Sequence, residues 1–179
     1  MKKTIVPKPD EVKYNMIKNF VYGKVVDVGC GKAFFKEVFN AVGIDIDKNS
    51  NADIIASVFD LSRFKENEFD TAIFFEVFEE IPHPELAIMQ IRRISKRLIL
   101  STPNYNWFRK LIGKEKLHPL HYKEYSWKEV KSIVEKEGYK MIYFGGLGFM
   151  VGHAFPLFYT LGKLFPKLSS KMVMVFDKK

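Results

Sequence analysis

A chain of 179 residues, 47% of them hydrophobic and 17 of them phenylalanine, is long enough for one buried core and too apolar to be disordered. Its one cysteine, Cys30, excludes a disulfide framework and a cysteine-based metal cluster. The N-terminal residues lack the long apolar core of a signal peptide, so we expect a cytoplasmic protein. The formal net charge of +8 leaves open an attraction to RNA or to an anionic membrane.

Apolar residues recur in short runs that alternate with segments of helical period. In chain order this pattern predicts a helix over 10–20, a strand over 24–28, a helix over 32–40, strands over 42–46, 53–57 and 69–75, a helix over 85–95, a strand over 97–102, a helix that follows a capping box at 126–129 and ends before 138, and strands over 139–144 and 171–176. Alternating strands and helices predict an α/β fold, with a mostly parallel sheet and helices on both of its faces.

The most informative segment lies where the first predicted strand ends. Residues 25–31 read Val-Val-Asp-Val-Gly-Cys-Gly, and Gly29 and Gly31 leave no side chain between the backbone and a ligand. The next predicted strand leads to Asp45, whose carboxylate is placed to accept hydrogen bonds from a ribose diol. The two strands together indicate a site for a nucleotide-like cofactor.

Neighbouring residues restrict the type of cofactor. Phe34 occupies the third glycine position of a dinucleotide fingerprint and obstructs a pyrophosphate, and no P-loop sequence follows a strand. Asp27, just before the glycines, repels a pyrophosphate but suits a cation. S-adenosylmethionine carries an ammonium and a sulfonium and no phosphate. The Asp-x-Gly-x-Gly segment therefore resembles that of class I S-adenosylmethionine-dependent methyltransferases.

This resemblance covers most of the chain and is to small-molecule methyltransferases of the ubiquinone-biosynthesis type. It continues through residues 52–61, 69–70, 75–82, 101–104 and 121–130. It implies a Rossmann-like sheet of seven strands, in which the seventh is antiparallel and lies between the fifth and sixth. It also implies an enzyme that moves a methyl group from S-adenosylmethionine to a small acceptor, which could be lipophilic.

Ligands of such sheets bind at the carboxyl ends of the strands. With the resemblance, this rule predicts a set of cofactor-binding residues: Asp27, Gly29, Cys30, Gly31, Asp45, Ile46, Ser57, Val58, Phe59 and Glu76. Asp45 is preferred to Asp47 for the ribose because it ends its strand, and Asp47 is expected to cap a following helix. Phe59 has two open interpretations, the edge of the adenine site and the core. Ser57 stands where the family often has an acid.

His121 precedes the capped helix and is the candidate general base for an acceptor hydroxyl, with an ordinary loop histidine as the alternative. Glu80 stands where relatives often carry histidine. Together with Glu79 it could contribute to a metal site, but two adjacent acids are more typical of a solvated pair, and we predict no metal. Aromatic residues that follow the fifth strand could line an acceptor pocket or simply pack a loop, namely Tyr105, Trp107 and Phe108.

Residues 147–165 are nearly all apolar. Within a single domain of residues 1–179, we expect an apolar insertion or lid at about 147–168, which would wall the acceptor pocket. Peripheral membrane contact is the next alternative, followed by an oligomer interface. Two other functions stay open: methyl transfer to RNA, favoured by the basic charge, and a non-catalytic S-adenosylmethionine-binding partner subunit, favoured by the altered positions 57 and 80.

Overall fold

The computed structural model describes residues 9–105, 118–148 and 161–179. Within these residues helices and strands alternate for most of the chain, except that β2, β3 and β4 follow one another without a helix. The elements are α1 (Pro9–Ile17), β1 (Val25–Val28), α2 (Phe34–Phe39), β2 (Val42–Asp45), β3 (Ile54–Ile55), β4 (Phe69–Phe75), α3 (Pro84–Ile94), β5 (Ser95–Pro103), α4 (Trp127–Lys136), β6 (Tyr139–Leu147), a 3-10 turn (Pro166–Leu168) and β7 (Lys171–Lys178). None of the helices in this described part has the length and hydropathy of a membrane-crossing segment.

The seven strands of the described residues form one sheet in the order β3-β2-β1-β4-β5-β7-β6. Strands β1 to β5 are parallel to one another, and β7 is antiparallel to both β5 and β6. The sheet confirms the predicted fold, including the place of the last strand. The strand order reverses between β1 and β4, and such a reversal opens a crevice at the carboxyl ends of the two strands.

The core consists of two hydrophobic clusters, one on each face of the sheet. Alternate residues of each strand enter opposite clusters, because successive side chains of a strand point to opposite faces. Val26 and Phe74 pack with α3 and α4, whereas Val25 and Ile73 pack with α1 and α2. The sheet is thus covered on both faces, and its carboxyl edge is left to hold polar groups.

Several predicted boundaries move for identifiable reasons. Strand β4 has the predicted bounds, whereas β5 begins at Ser95 because that residue already pairs with Phe69. Strand β6 continues through Gly145 and Gly146, which pair with β7. A Cβ at Gly146 would come within 2.3 Å of the Gly162 carbonyl oxygen, so the glycine permits a close backbone approach instead of ending the strand.

The cap predicted at Asp47 is wrong. The described residues after Asp47 form turns and then β3, without a helix. The carboxylate of Asp47 accepts a hydrogen bond from the backbone N–H of Asn49 at 2.8 Å, which closes a local turn. Of the insertion or lid predicted at about 147–168, residues 149–160 lie outside the described residues, as do Trp107 and Phe108.

Candidate active site

A cleft of about 370 Å³ opens at the carboxyl ends of β1, β2 and β4. Its volume falls in the range of small-molecule sites. Eight of the ten predicted cofactor-binding residues line it: Gly29, Gly31, Asp45, Ile46, Ser57, Val58, Phe59 and Glu76. The predicted residues are thus eight of the fifteen that line the cleft, and the other two, Asp27 and Cys30, lie outside its lining.

The glycine turn after β1 adopts positive φ angles, +74° at Gly29 and +49° at Gly31. The turn is fixed to β2, because the N–H groups of Gly29 and Cys30 both donate to the carbonyl of Ile44. A Cβ at Gly29 would lie 2.2 Å from Cγ2 of Val77, whereas one at Gly31 would meet nothing within 4 Å. A side chain at position 29 would therefore clash with the segment after β4, whereas position 31 faces open space.

Asp45 ends β2 with its carboxylate tied to two backbone amides. Oδ2 accepts from the N–H of Gly31 at 2.8 Å, and Oδ1 accepts from the N–H of Asp47 at 2.9 Å. A carboxylate has about four lone-pair sites, so each oxygen can accept one more hydrogen bond. The two Asp45 oxygens can therefore accept hydrogen bonds from the two hydroxyl groups of a diol.

Apolar side chains lie exposed beside this carboxylate. Ile46 is 73% exposed and Phe59 is 37% exposed, and both line the cleft. The interpretation of Phe59 as a core residue is therefore wrong. The hydroxyl of Ser57 lines the cleft as well and accepts the N–H of Phe59 at 3.2 Å. Large apolar side chains left uncovered around a concave polar group are typical of a ligand site.

Asp27 is buried behind the glycine turn, where it accepts the backbone N–H of Lys36 at 3.0 Å. Burial raises the pKa of Asp27 to about 7, and the charge of Asp45 adds to that rise. Burial also raises the pKa of the Cys30 thiol to about 11, with the charges of Asp27 and Asp45 acting in the same direction. The thiol is therefore protonated at neutral pH, which disfavours a role as a nucleophile.

At the tip of β4, Glu76 is held by positive charges. Its carboxylate accepts from Lys171 Nζ and from Ser101 Oγ, and Lys13 Nζ lies 3.4 Å from Oε1. Burial alone would raise the pKa of Glu76, but the charges of Lys13 and Lys171 outweigh it and lower the pKa to about 2. Glu76 also has a φ of +58°, which is strained for a residue with a Cβ.

Glu79 is 1% exposed, so it does not form a solvated pair with Glu80. Its Oε2 accepts from Thr102 Oγ1 at 2.9 Å, while Oε1 accepts no hydrogen bond within the described residues. Burial, with a smaller contribution from the charge of Glu76, raises the pKa of Glu79 to about 8. Glu79 is therefore mainly protonated at neutral pH.

His121 lies between two glutamates. Its Nδ1 is 3.2 Å from Oε1 of Glu124, and its Nε2 is 3.9 Å from Oε1 of Glu79. His121 is absent from the cleft lining, whereas Glu80 is part of it. In the described part of the chain, no three His, Cys, Asp or Glu side chains are arranged to hold a metal ion.

The family model of the methyltransferase domain matches residues 6–143. The chain belongs to the methyltransferase domain family. This membership confirms the enzyme class that the sequence predicts, and S-adenosylmethionine is the methyl donor of that class. No curated protein matches the sequence.

Solved structures share the fold of this methyltransferase. An S-adenosylmethionine-dependent methyltransferase of Thermotoga maritima, a possible histamine N-methyltransferase, is 16% identical, with a TM-score of 0.71 over 94% of this chain and 89% of that one. Another from Archaeoglobus fulgidus is 14% identical, with a TM-score of 0.70 and 94% of each chain covered. The small RNA methyltransferase HEN1 is 16% identical, with a TM-score of 0.66 over 100% of this chain and 27% of that one. At such identities the likeness establishes the fold alone.

Two lysines contact Glu76 beside the cleft and are not among the residues predicted from the sequence. Lys13 lies on α1 and is 5% exposed, although a lysine on a short helix ordinarily faces solvent. Lys171 opens β7, opposite Pro103 of β5. The position of Lys171 could have been predicted, because the first residue of an antiparallel last strand lies at the edge of the sheet where β4 and β5 end. No local signal marks Lys13.

Proposed function

We propose that this methyltransferase acts on a small-molecule acceptor and holds S-adenosylmethionine in the cleft at β1, β2 and β4. The observation that carries the proposal is the carboxylate of Asp45, which retains acceptor capacity beside exposed Ile46 and Phe59. The donor supplies a methyl group on a positively charged sulfur. Asp45 would accept the two ribose hydroxyls, and Ile46 and Phe59 would cover the faces of the adenine.

Calorimetry with S-adenosylmethionine and S-adenosylhomocysteine tests the cofactor assignment. We expect Asp45→Ala to weaken both ligands by at least about tenfold, because two hydrogen bonds to a charged acceptor are lost. Asp47→Ala is the matched control, since the Asp47 carboxylate closes only a local turn. Thermal unfolding of both variants checks that the glycine turn is still folded. Equal affinity of Asp45→Ala and the wild type would contradict the assignment.

His121 stays our candidate for the base that takes a proton from an acceptor hydroxyl. In support, its side chain is 14% exposed, and the carboxylate of Glu124, 3.2 Å from Nδ1, orients the ring. We expect His121→Gln to lower kcat by about 10²-fold or more with little change in KM. His118→Gln is the control, because His118 is exposed and its ring lies next to that of His121. Similar kcat values for the two variants would remove His121 from this role.

Methyl transfer to RNA is the second candidate, and the charge of +8 favours it. The similarity in fold to a small RNA methyltransferase is compatible with it. Binding of tRNA should then fall steeply with salt, with a slope that counts the phosphates contacted. If tRNA binding is weak and does not depend on salt, the small-molecule acceptor is the better proposal. Cofactor binding without turnover on any acceptor would instead indicate a non-catalytic partner subunit.

We further propose a cytoplasmic location with peripheral contact to an anionic membrane. Leu164 is 66% exposed, and Lys163 and Lys167 lie exposed close to it in the sequence, a combination suited to a negatively charged lipid surface. Co-sedimentation with phosphatidylglycerol vesicles, compared with neutral phosphatidylcholine vesicles, tests the contact. We expect Leu164→Ser to reduce the bound fraction, and equal binding to the two kinds of vesicle would contradict the proposal.

A further inference from the structure

The groups around Glu76 carry more positive than negative charge. We define the lysine cluster as Lys13, Glu76, Ser101 and Lys171, which α1, β4, β5 and β7 bring together. Both ammonium groups pair with the one carboxylate of Glu76, and neither makes another ion pair within the described residues. The two lysines and one glutamate therefore leave a surplus of one positive charge.

Glu79 is the acid that could cancel this surplus, since its carboxyl interacts with both Glu76 and Lys171. Within the described residues Glu79 forms no ion pair with Lys13 or Lys171, and burial together with the charge of Glu76 raises its pKa, so it does not cancel the surplus. Lys13 is 5% exposed, and Nζ lies 5.5 Å from the centre of the Phe75 ring. An unbalanced charge in such surroundings costs folding free energy, and a bound anion would offset that cost.

The lysine cluster adjoins the cleft at the end away from Asp45. Glu76 lines the cleft at the tip of β4, whereas Asp45 lies at the tip of β2, on the far side of β1. Of the lysine cluster only Glu76 is part of the cleft lining, and the side chain of Lys171 is 30% exposed, compared with 6% for Lys13, so Lys171 is the more accessible ammonium group beside it. A cationic sulfonium gains nothing from this end of the cleft, whereas a negatively charged group does.

We propose that the lysine cluster binds an anionic group of the methyl acceptor, a carboxylate or a phosphate, and that the acceptor is therefore an acidic small molecule. This inference rests on the proposed transfer to a small acceptor. Lys171 donates directly to the anion, Lys13 adds a buried positive charge behind it, and Glu76 with Ser101 holds the two ammonium groups in position. Lys171 is then the residue that selects acidic over neutral acceptors.

Anion binding can be measured without knowing the acceptor. The protein is saturated with S-adenosylhomocysteine and titrated with acetate or inorganic phosphate at constant ionic strength, and the backbone amide shifts of Ser101 and Lys171 are followed. We expect saturable shifts in the wild type, and about a tenfold weaker response in Lys171→Met. Lys171→Arg, which keeps the charge, should retain binding, and Lys140→Met, on the exposed side of β6, is the control. Equal responses of wild type and Lys171→Met would overturn the proposal.

The anion could also belong to the cofactor, which carries a carboxylate of its own. Affinities for S-adenosylhomocysteine and for 5′-methylthioadenosine, which lacks the amino-acid part, distinguish the two sources. Lys171→Met should bind both ligands like the wild type. A loss confined to S-adenosylhomocysteine would assign the lysine cluster to the cofactor and overturn the acceptor proposal. If S-adenosylhomocysteine does not bind the wild type, the proposed cofactor site is wrong. The same anion titration on the ligand-free protein then still tests whether the lysine cluster binds an anion.

Discussion

Carboxylates are held by backbone amides at the β1–β2 end of the cleft and by ammonium groups at the β4–β5–β7 end. Asp45 accepts from the N–H groups of Gly31 and Asp47, and Asp27 accepts from that of Lys36. Glu76 instead lies among Lys13, Lys171 and Ser101. The amides orient the Asp45 carboxylate without cancelling its charge, so the first end is negative, whereas two lysines make the second end positive.

Opposite charges at the two ends of one cleft thus arise from different levels of structure. The negative end is built from a turn and a strand tip that are close in sequence. The positive end needs four elements that are distant in sequence. Substitutions can therefore perturb either end of the cleft without changing the other.

The largest effect is expected at the glycine turn. Gly29→Ala would combine a φ of +74° with a Cβ only 2.2 Å from Val77 Cγ2, so we expect the free energy of unfolding to fall by about 3 kcal/mol. Gly31→Ala is the matched control, with a positive φ but no atom within 4 Å, and should lose about 1 kcal/mol. Urea denaturation measures both. Equal losses would show that backbone strain alone, and not the clash with Val77, determines the cost of a side chain in the turn.

At the positive end, Glu76→Gln should lower the free energy of unfolding by about 2 kcal/mol, because Lys13 and Lys171 would lose their shared counter-charge. The double variant Glu76→Gln/Lys171→Met should recover part of this loss, since only one ammonium then remains. Denaturation of both variants in low and high salt measures the effect. A double variant less stable than Glu76→Gln would contradict the repulsion between the lysines.

Asp27 gives the negative end a pH dependence. Its pKa is about 7 in the folded protein and 3.8 in an ordinary carboxyl, so the folded state binds the proton more tightly. The associated stability is complete below the unfolded pKa and is lost as pH rises through 7. We expect the free energy of unfolding to fall by about 1 kcal/mol between pH 6 and pH 8.

Asp27→Asn should remove this part of the pH dependence, because the amide oxygen can still accept from Lys36 N–H but does not titrate. Glu79 titrates in the same direction in both proteins, so the difference between their pH profiles belongs to Asp27. Thermal unfolding over pH 5–9 measures both profiles. Parallel profiles of wild type and variant would contradict the raised pKa.

The smallest effect is expected for Glu79→Gln. Since the pKa of Glu79 is raised to about 8, the wild-type side chain is neutral at pH 6.5, and glutamine has nearly the same shape. We expect a change within about 0.5 kcal/mol at that pH. Comparing the stability losses of Glu79→Gln and Glu76→Gln thus distinguishes a neutral glutamate from a charged one three residues away. A loss as large as that of Glu76→Gln would show that Glu79 is ionised in the folded protein.

The sequence predicts the negative end well because its information is local. An apolar strand, two glycines and an acid at the next strand tip together lead to Gly29, Gly31 and Asp45. Strand β4 has the predicted bounds, since a strand buried on both faces is a continuous apolar run. The error at Asp47 arises because an acid after a strand can close a turn as readily as it can cap a helix.

The positive end could not be predicted in the same way. Lys171 reaches Glu76 only because β7 lies beside β5, and Lys13 reaches it only because α1 packs beneath β4. Neither contact has a periodicity or a motif in the sequence. The burial of Glu79 is also a consequence of packing, because a pair of adjacent acids predicts a solvated surface.

The insertion of β7 between β5 and β6 has a consequence for how the protein matures. During synthesis the N-terminal strands emerge first, and the β1–β2 corner can assemble from residues close in sequence. Strand β6 has no neighbour until β7 arrives, because its described pairing is with β7 alone. A nascent chain would thus assemble the β1–β2 end of the cleft before the β4–β5–β7 end, and Lys171 would be among the last groups to reach their place.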